Sequence, residues 1–172
     1  MIRYSATLCA LFAFGLAQAP CAGQGPKAVQ VALRGVTTVT AVAGGVNAVV
    51  TIKTRPPWGP DKGTQPESSE VSLCSGPIRL CSFVESLDIR MGGQTVFVPY
   101  SATCDLVEVH WAELSVGAKT STLTLTAGDA STSYVVKIQF DQRMVRHRTV
   151  EEGEFGDLME ETTYYELPPL GE

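Results

Sequence analysis

Two stretches built to the same plan restrict the fold of this chain more than any other feature. Residues 38–52 read TVTAVAGGVNAVVTI, and residues 86–99 read SLDIRMGGQTVFVP. In each, apolar and β-branched residues alternate with small or polar ones on both sides of a Gly-Gly pair. Alternation with period two is the mark of a half-buried strand. Paired glycines supply the positive φ that two-residue hairpin turns demand. In the second stretch Leu87, Ile89 and Met91 fall on one face, and Val96 and Val98 return along it. Two hairpins of the same chemistry predict an antiparallel sheet.

The pattern continues along the chain. Val29, Val31 and Leu33 alternate ahead of the first hairpin. Residues 112–116 turn at Gly117-Ala118-Lys119 into STLTLT, with Leu123 and Leu125 facing inward. Tyr134, Val136, Ile138 and Phe140 share a face, opposite Lys137, Gln139 and Asp141. Asp141-Gln142-Arg143 turns into MVRHRTV, and ETTYYEL (161–167) makes a last strand before Pro168-Pro169. No amphipathic helix competes; residues 101–106 hold at most one helical turn, capped by Ser101. The expected fold is all-β: a single antiparallel β-sandwich or barrel built from hairpins, with little helix.

The first residues carry a different signal. Arg3 precedes an apolar run over residues 8–16, followed by small residues. This is the anatomy of a secretory signal peptide, and the run is too short to span a bilayer. Residues 1–23 are therefore expected to be removed, with cleavage after Ala17 or after Gly23. Pro20 obstructs the A-x-A site at Ala17-Gln18-Ala19. A membrane attachment would require lipidation at Cys21, where Pro20 is a poor preceding residue. The expected product is periplasmic or secreted. It is a single all-β domain over residues 24–172, about 150 residues, enough for one genuine core.

Cysteine usage follows from that compartment. Cys74, Cys81 and Cys104 all lie in the mature region, where at least one disulfide is expected. Cys74 and Cys81 bracket the short loop Ser-Gly-Pro-Ile-Arg-Leu. Closing it would contribute about 2.5 kcal/mol by loop entropy. Cys81–Cys104 is the rival pairing.

A search for catalytic or metal chemistry finds little. The chain holds 2 histidines, His110 and His147, and neither belongs to an H-E-x-x-H motif. A G-x-S-x-G elbow, a phosphate loop, a calcium loop and a C-x-x-C pair are also missing. No metal or cofactor is expected. Cys104 with His110 is the one thiolate–imidazole arrangement the sequence offers, and a disulfide at Cys104 would remove it. A net charge of −5 gives no basic footprint for nucleic acid. Arg143, Arg146 and Arg148 are followed by Glu151, Glu152, Glu154, Asp157, Glu160 and Glu161, with no Lys or Arg after Arg148. Cross-strand pairing of a basic arm with an acidic one accounts for this pattern. An acidic edge that attracts a cationic partner is the alternative.

Two segments are candidates for recognition. The Pro-rich loop over residues 54–70 presents Trp58, a residue type that anchors interfaces. Residues 128–134, GDASTSY, crowd hydroxyls at the entrance of a strand. Gly128 and Asp129 supply turn chemistry, and Ser131 precedes Tyr134 by three residues. This Ser-x-x-Tyr loop resembles the S-G-x-Y loop of the bacterial periplasmic lysozyme inhibitors, with Thr132 in place of the glycine. The resemblance implies a loop that enters a lysozyme cleft, where Ser131 and Tyr134 hydroxyls meet catalytic carboxylates and Asp129 shapes the turn. The function expected is non-enzymatic binding of a protein partner in the cell envelope, inhibition or immunity against a peptidoglycan-cleaving enzyme being its sharpest form. A structural or ligand-carrying β-domain is the alternative, and a thiol enzyme using Cys104 a further one.

Overall fold

The computed structural model describes residues 27–57, 74 and 81–166. Among the described residues ten strands form two antiparallel sheets. The four-stranded sheet holds β2 (Gly35–Ala43), β3 (Val46–Arg55), β4 (Phe83–Met91) and β5 (Gln94–Val96), in that order. The six-stranded sheet runs β1 (Val29–Gln30), β6 (Val109–Ser115), β7 (Ser121–Ala127), β8 (Tyr134–Phe140), β9 (Val145–Glu152) and β10 (Leu158–Thr163). The sheets do not close into a barrel, which resolves that alternative in favour of the open arrangement.

Both glycine hairpins form as their chemistry requires. Gly44 and Gly45 adopt φ of 57° and 79°, and Ala43 faces Val46 across them. Gly92 and Gly93 adopt 59° and 84° between Met91 and Gln94. Side chains that alternate inward meet between the sheets. Val50, Ile52, Ile89 and Met91 of one sheet join Leu114, Leu123, Leu125, Val136, Ile138 and Phe140 of the other in a single buried cluster. Each such side chain removed from water stabilises the fold by roughly 1.5–3 kcal/mol.

Four local expectations are corrected. The first strand is only two residues long, and Leu33, expected on its inner face, is exposed. The chain leaves the sheet after Gln30 because Ala32 turns to bond Thr37 and Thr54 hydroxyls instead of a ladder. The turn after β5 is a 3-10 helix over Tyr100–Ala102 with Pro99 at its cap, so Ser101 lies inside the turn and caps nothing. The last strand occupies Leu158–Thr163, three residues before the expected start, because pairing with β9 begins at Leu158↔Glu151. Thr54 and Arg55, assigned from sequence to the Pro-rich loop, continue β3. Trp58 and the rest of that loop through residue 70 lie outside the described residues.

Two short contacts join the sheets beyond the core. Phe97, just past β5, bridges Met144 in parallel fashion: its N–H donates to the Arg143 carbonyl at 2.8 Å, and its carbonyl accepts from Val145 N–H at 2.9 Å. Phe83 bridges Val107 in the antiparallel sense. The first contact brings the end of the four-stranded sheet against the β8–β9 turn, and a groove opens there.

Candidate functional site

The sequence-derived candidates that fall within the described residues each have a place in the fold. In residues 128–134, Gly128 takes φ of 73° and a 3-10 turn covers Ala130–Thr132. The Thr132 hydroxyl donates to the Asp129 carbonyl at 2.7 Å, and Gly153 N–H donates to the Ser133 carbonyl at 2.9 Å. Gly128 admits no side chain, since a Cβ there would stand 2.2 Å from the Thr132 carbonyl oxygen. Asp129 starts this turn and is exposed. The Thr132 hydroxyl thus helps build the turn itself, in the manner of Ser/Thr turn motifs.

Ser131 and Tyr134 part company. Ser131 is exposed, and no hydrogen bond among the described residues holds its side chain. The Tyr134 hydroxyl donates to the Val107 carbonyl at 2.6 Å and accepts from Val107 N–H at 3.0 Å. The phenol thus both donates to and accepts from the backbone of one buried residue, Val107. Burial pushes the Tyr134 pKa above its ordinary value; the Val107 hydrogen bond and Arg148 oppose the shift, while Asp105 and Glu108 add to it. Tyr134 points into the fold on the Val136/Ile138 face, so its hydroxyl is not presented alongside Ser131.

Beneath it lies a residue whose role the sequence concealed. Arg148 reads as one cation on an alternating, solvated arm, yet it is 2% exposed. Register explains this: Arg148 pairs with Ile138, whose side chain faces the core, and a register shift between Gln139 and Phe140 brings it there. Its guanidinium bonds Asp105 at 2.6 Å and Glu160 at 2.7 Å, and its Nε has no hydrogen-bond partner. Neighbouring His147 meets Glu161 at 2.7 Å. The basic and acidic arms therefore pair across β9 and β10, as the charge pattern suggested.

Cys74 and Cys81 form the disulfide, with Cα atoms 5.7 Å apart. Cys104 is corrected from the candidate disulfide set: it is a free, exposed thiol at the end of the 3-10 turn, where its N–H bonds the Tyr100 carbonyl. No hydrogen bond among the described residues joins Cys104 to His110.

The groove beside Phe97 gathers several aromatic side chains. It encloses about 440 Å³ and is lined by Phe97, Pro99, Arg143, Met144, Tyr164, Tyr165 and Glu166. Met144 is buried and Tyr164 half-buried, whereas Phe97 is 64% and Tyr165 79% exposed. Charge fixes its rim. Glu166 meets Arg146 at 2.9 Å and Arg143 at 3.2 Å, and Arg146 also meets Asp141 at 2.6 Å. Asp141 in turn accepts the N–H groups of Arg143 and Met144 at 2.7 and 2.9 Å. Desolvation would raise the Asp141 pKa, but these two backbone bonds and Arg146 outweigh it and hold the carboxyl below its ordinary value. The Tyr164 hydroxyl is buried without a hydrogen-bond partner. Sequence reading placed Tyr164 and Tyr165 in a strand and passed over the groove, because it forms only where Phe97 crosses to Met144. Among the described residues no group of His, Cys, Asp and Glu could hold a metal ion. No protein-family model, curated protein or solved structure matches this chain.

Proposed function

We propose that this chain is an exported, non-enzymatic binding protein that holds a protein partner at the Phe97–Tyr165 groove. The observation that carries this reading is the exposure of those two rings at 64% and 79%, on a groove whose other lining residues are buried, half-buried or ion-paired. Large aromatic side chains left in water lose the free energy their burial would give, and an interface recovers it. Arg143 and Glu166 at the rim add the polar frame typical of such anchors.

Export is supported by the apolar run behind Arg3 and by the Cys74–Cys81 disulfide, a bond that persists in the periplasm or outside the cell. The net charge of −5 favours encounter with a basic partner. Inhibition of a peptidoglycan-cleaving enzyme is the finer version of this reading. The exposed Ser131 supports it, while the Val107-bound Tyr134 hydroxyl does not, so the groove is the better docking point for such an enzyme.

The test is site-specific photo-crosslinking in producing cells, with the reactive side chain at Phe97 or at Tyr165, and at Trp111 on the outer sheet face as control. A discrete protein adduct from the two groove positions and none from Trp111 is expected. Equal or absent adducts at all three positions would sink the proposal.

A further inference from the structure

β2 is the outermost strand of the four-stranded sheet, and among the described residues no strand pairs with its outer edge. Sheet edges are ordinarily blunted by charge, proline, a bulge or brevity. β2 has none of these. Its nine residues, GVTTVTAVA, include no charged residue and no proline, and its register with β3 runs unbroken from Gly35↔Thr54 to Ala43↔Val46.

The hairpin turn decides which backbone groups face outward. Across the two-residue loop Gly44-Gly45, the flanking Ala43 and Val46 exchange both of their hydrogen bonds. Bonded pairs then recur at every second residue, which directs the odd-numbered residues of β2 toward β3. The N–H and C=O groups of Val36, Thr38, Thr40 and Val42 therefore point out of the edge. The side chains of these same residues are exposed, Val36 at 60% and Val42 at 71%.

We propose that β2 pairs antiparallel with β2 of a second copy of this chain, about a two-fold axis through Val39. The register is specific. It sets Val36 opposite Val42 of the second copy and Thr38 opposite its Thr40, each pair occurring twice. All four are residues with outward backbone groups, so the outward donors of one strand meet the outward acceptors of the other. On the exposed face, valine meets valine and threonine meets threonine, both favourable cross-strand pairs. On the inner face, Thr37 meets Ala41 and Val39 meets itself.

Self-complementary register along an uncharged strand selects a second copy over a foreign strand. The chain carries a net −5, so two copies repel over most of their surface. β2 is a nine-residue stretch without charge, where two acidic molecules can approach. A basic strand would find no counter-charge along it, whereas self-pairing needs none. Because the same patch is used by both partners, the contact closes as a symmetric dimer instead of growing into a fibre.

The test measures the mass of the disulfide-intact mature protein by sedimentation across a concentration series. Wild type is expected to dimerise. Val36→Lys with Val42→Lys sets lysine against lysine twice across the axis and is expected to weaken the dimer by about a hundredfold or more. Val36→Lys with Val42→Glu sets each lysine against a glutamate and is expected to restore it. Amide exchange on wild type supplies a second reading: the N–H groups of Val36, Thr38, Thr40 and Val42 are protected in the dimer and exchange freely on dilution. A wild type monomeric at every concentration overturns the proposal, as does a dimer indifferent to the lysine pair or unprotected outward amides in a dimer. A lysine–glutamate variant that stays monomeric overturns the register about Val39.

Discussion

The two sheets end on strands that face the same hazard and meet it by different means. β10, at the margin of the six-stranded sheet, breaks register between Leu158 and Glu160 and places Glu160 and Glu161 against Arg148 and His147. β2, at the margin of the four-stranded sheet, is regular and uncharged. A charged, irregular edge repels further strands; a smooth neutral one accepts them. The contrast teaches that stability and association are divided between the sheets. At β10, charge holds the strand to its own sheet. At β2, Val/Thr packing and a tight turn do so, leaving the outer side available. Breaking the β10 arrangement should therefore cost stability, whereas charging β2 should cost association.

The largest effect is expected where charge is buried. Removing both counter-ions of Arg148 with Asp105→Ala and Glu160→Ala leaves a guanidinium at 2% exposure without an anion. That should cost roughly 3–5 kcal/mol in urea denaturation, while Arg148→Met, which removes the charge itself, should cost far less. Near-wild-type stability in the doubly truncated chain would mean that solvent, not Asp105 and Glu160, supports the arginine.

Tyr134→Phe comes next. It strips the tyrosine hydrogen bonds from the N–H and the C=O of Val107, a residue 5% exposed. A loss of about 2 kcal/mol is expected, within the range for buried groups left unpaired. Because the raised pKa favours the protonated phenol in the fold, this contribution is full at neutral pH and lost as pH climbs through the folded value. An absorbance titration should accordingly find a tyrosine still neutral above about pH 10, the ordinary tyrosine value, and Tyr134→Phe should remove it.

Asp141→Asn is expected to be milder, about 1 kcal/mol, since the carboxylate is partly open to water and its attraction to Arg146 is screened. Its lowered pKa gives the opposite pH sense. The contribution is present above the ordinary carboxylate value and fades as pH falls through the lowered one. The stability gap between wild type and Asp141→Asn should close on acidification below about pH 4; a gap independent of pH would assign the effect to turn geometry alone.

Much of this fold could be read from residues. The Gly44-Gly45 and Gly92-Gly93 hairpins and the inward Val136/Ile138/Phe140 face follow from local rules of φ and period two. Reading failed where long-range register took over. Arg148 reads like its half-buried neighbours, and only a register shift against β8 places it inside. Tyr134 reads either as core or as a recognition hydroxyl, and the choice depends on Val107, which is 27 positions away in sequence. The Phe97 groove needs the end of one sheet to meet the turn of the other, a contact that no periodicity encodes. The exposed edge of β2 was legible as composition, but its meaning required the strand order.

The smallest effect belongs to charge on the four-stranded sheet. Lys53 and Glu85 meet at 2.8 Å, but their side chains are 49% and 41% exposed. Water solvates both ions nearly as well when they are apart, and holding two long side chains together costs rotamer entropy. Lys53→Ala should therefore change stability by no more than about 0.5 kcal/mol, and added salt should erase the difference. Lys137–Glu151 on the six-stranded sheet is the sharper comparison, with Glu151 only 22% exposed and both of its oxygens at 2.7 Å from the ammonium. Lys137→Ala should cost more than Lys53→Ala in low salt and retain part of that cost in high salt. Equal, fully screened costs would show that the six-stranded sheet owes its reliance on charge to the buried Arg148 alone, and not to ion pairing across its outer face.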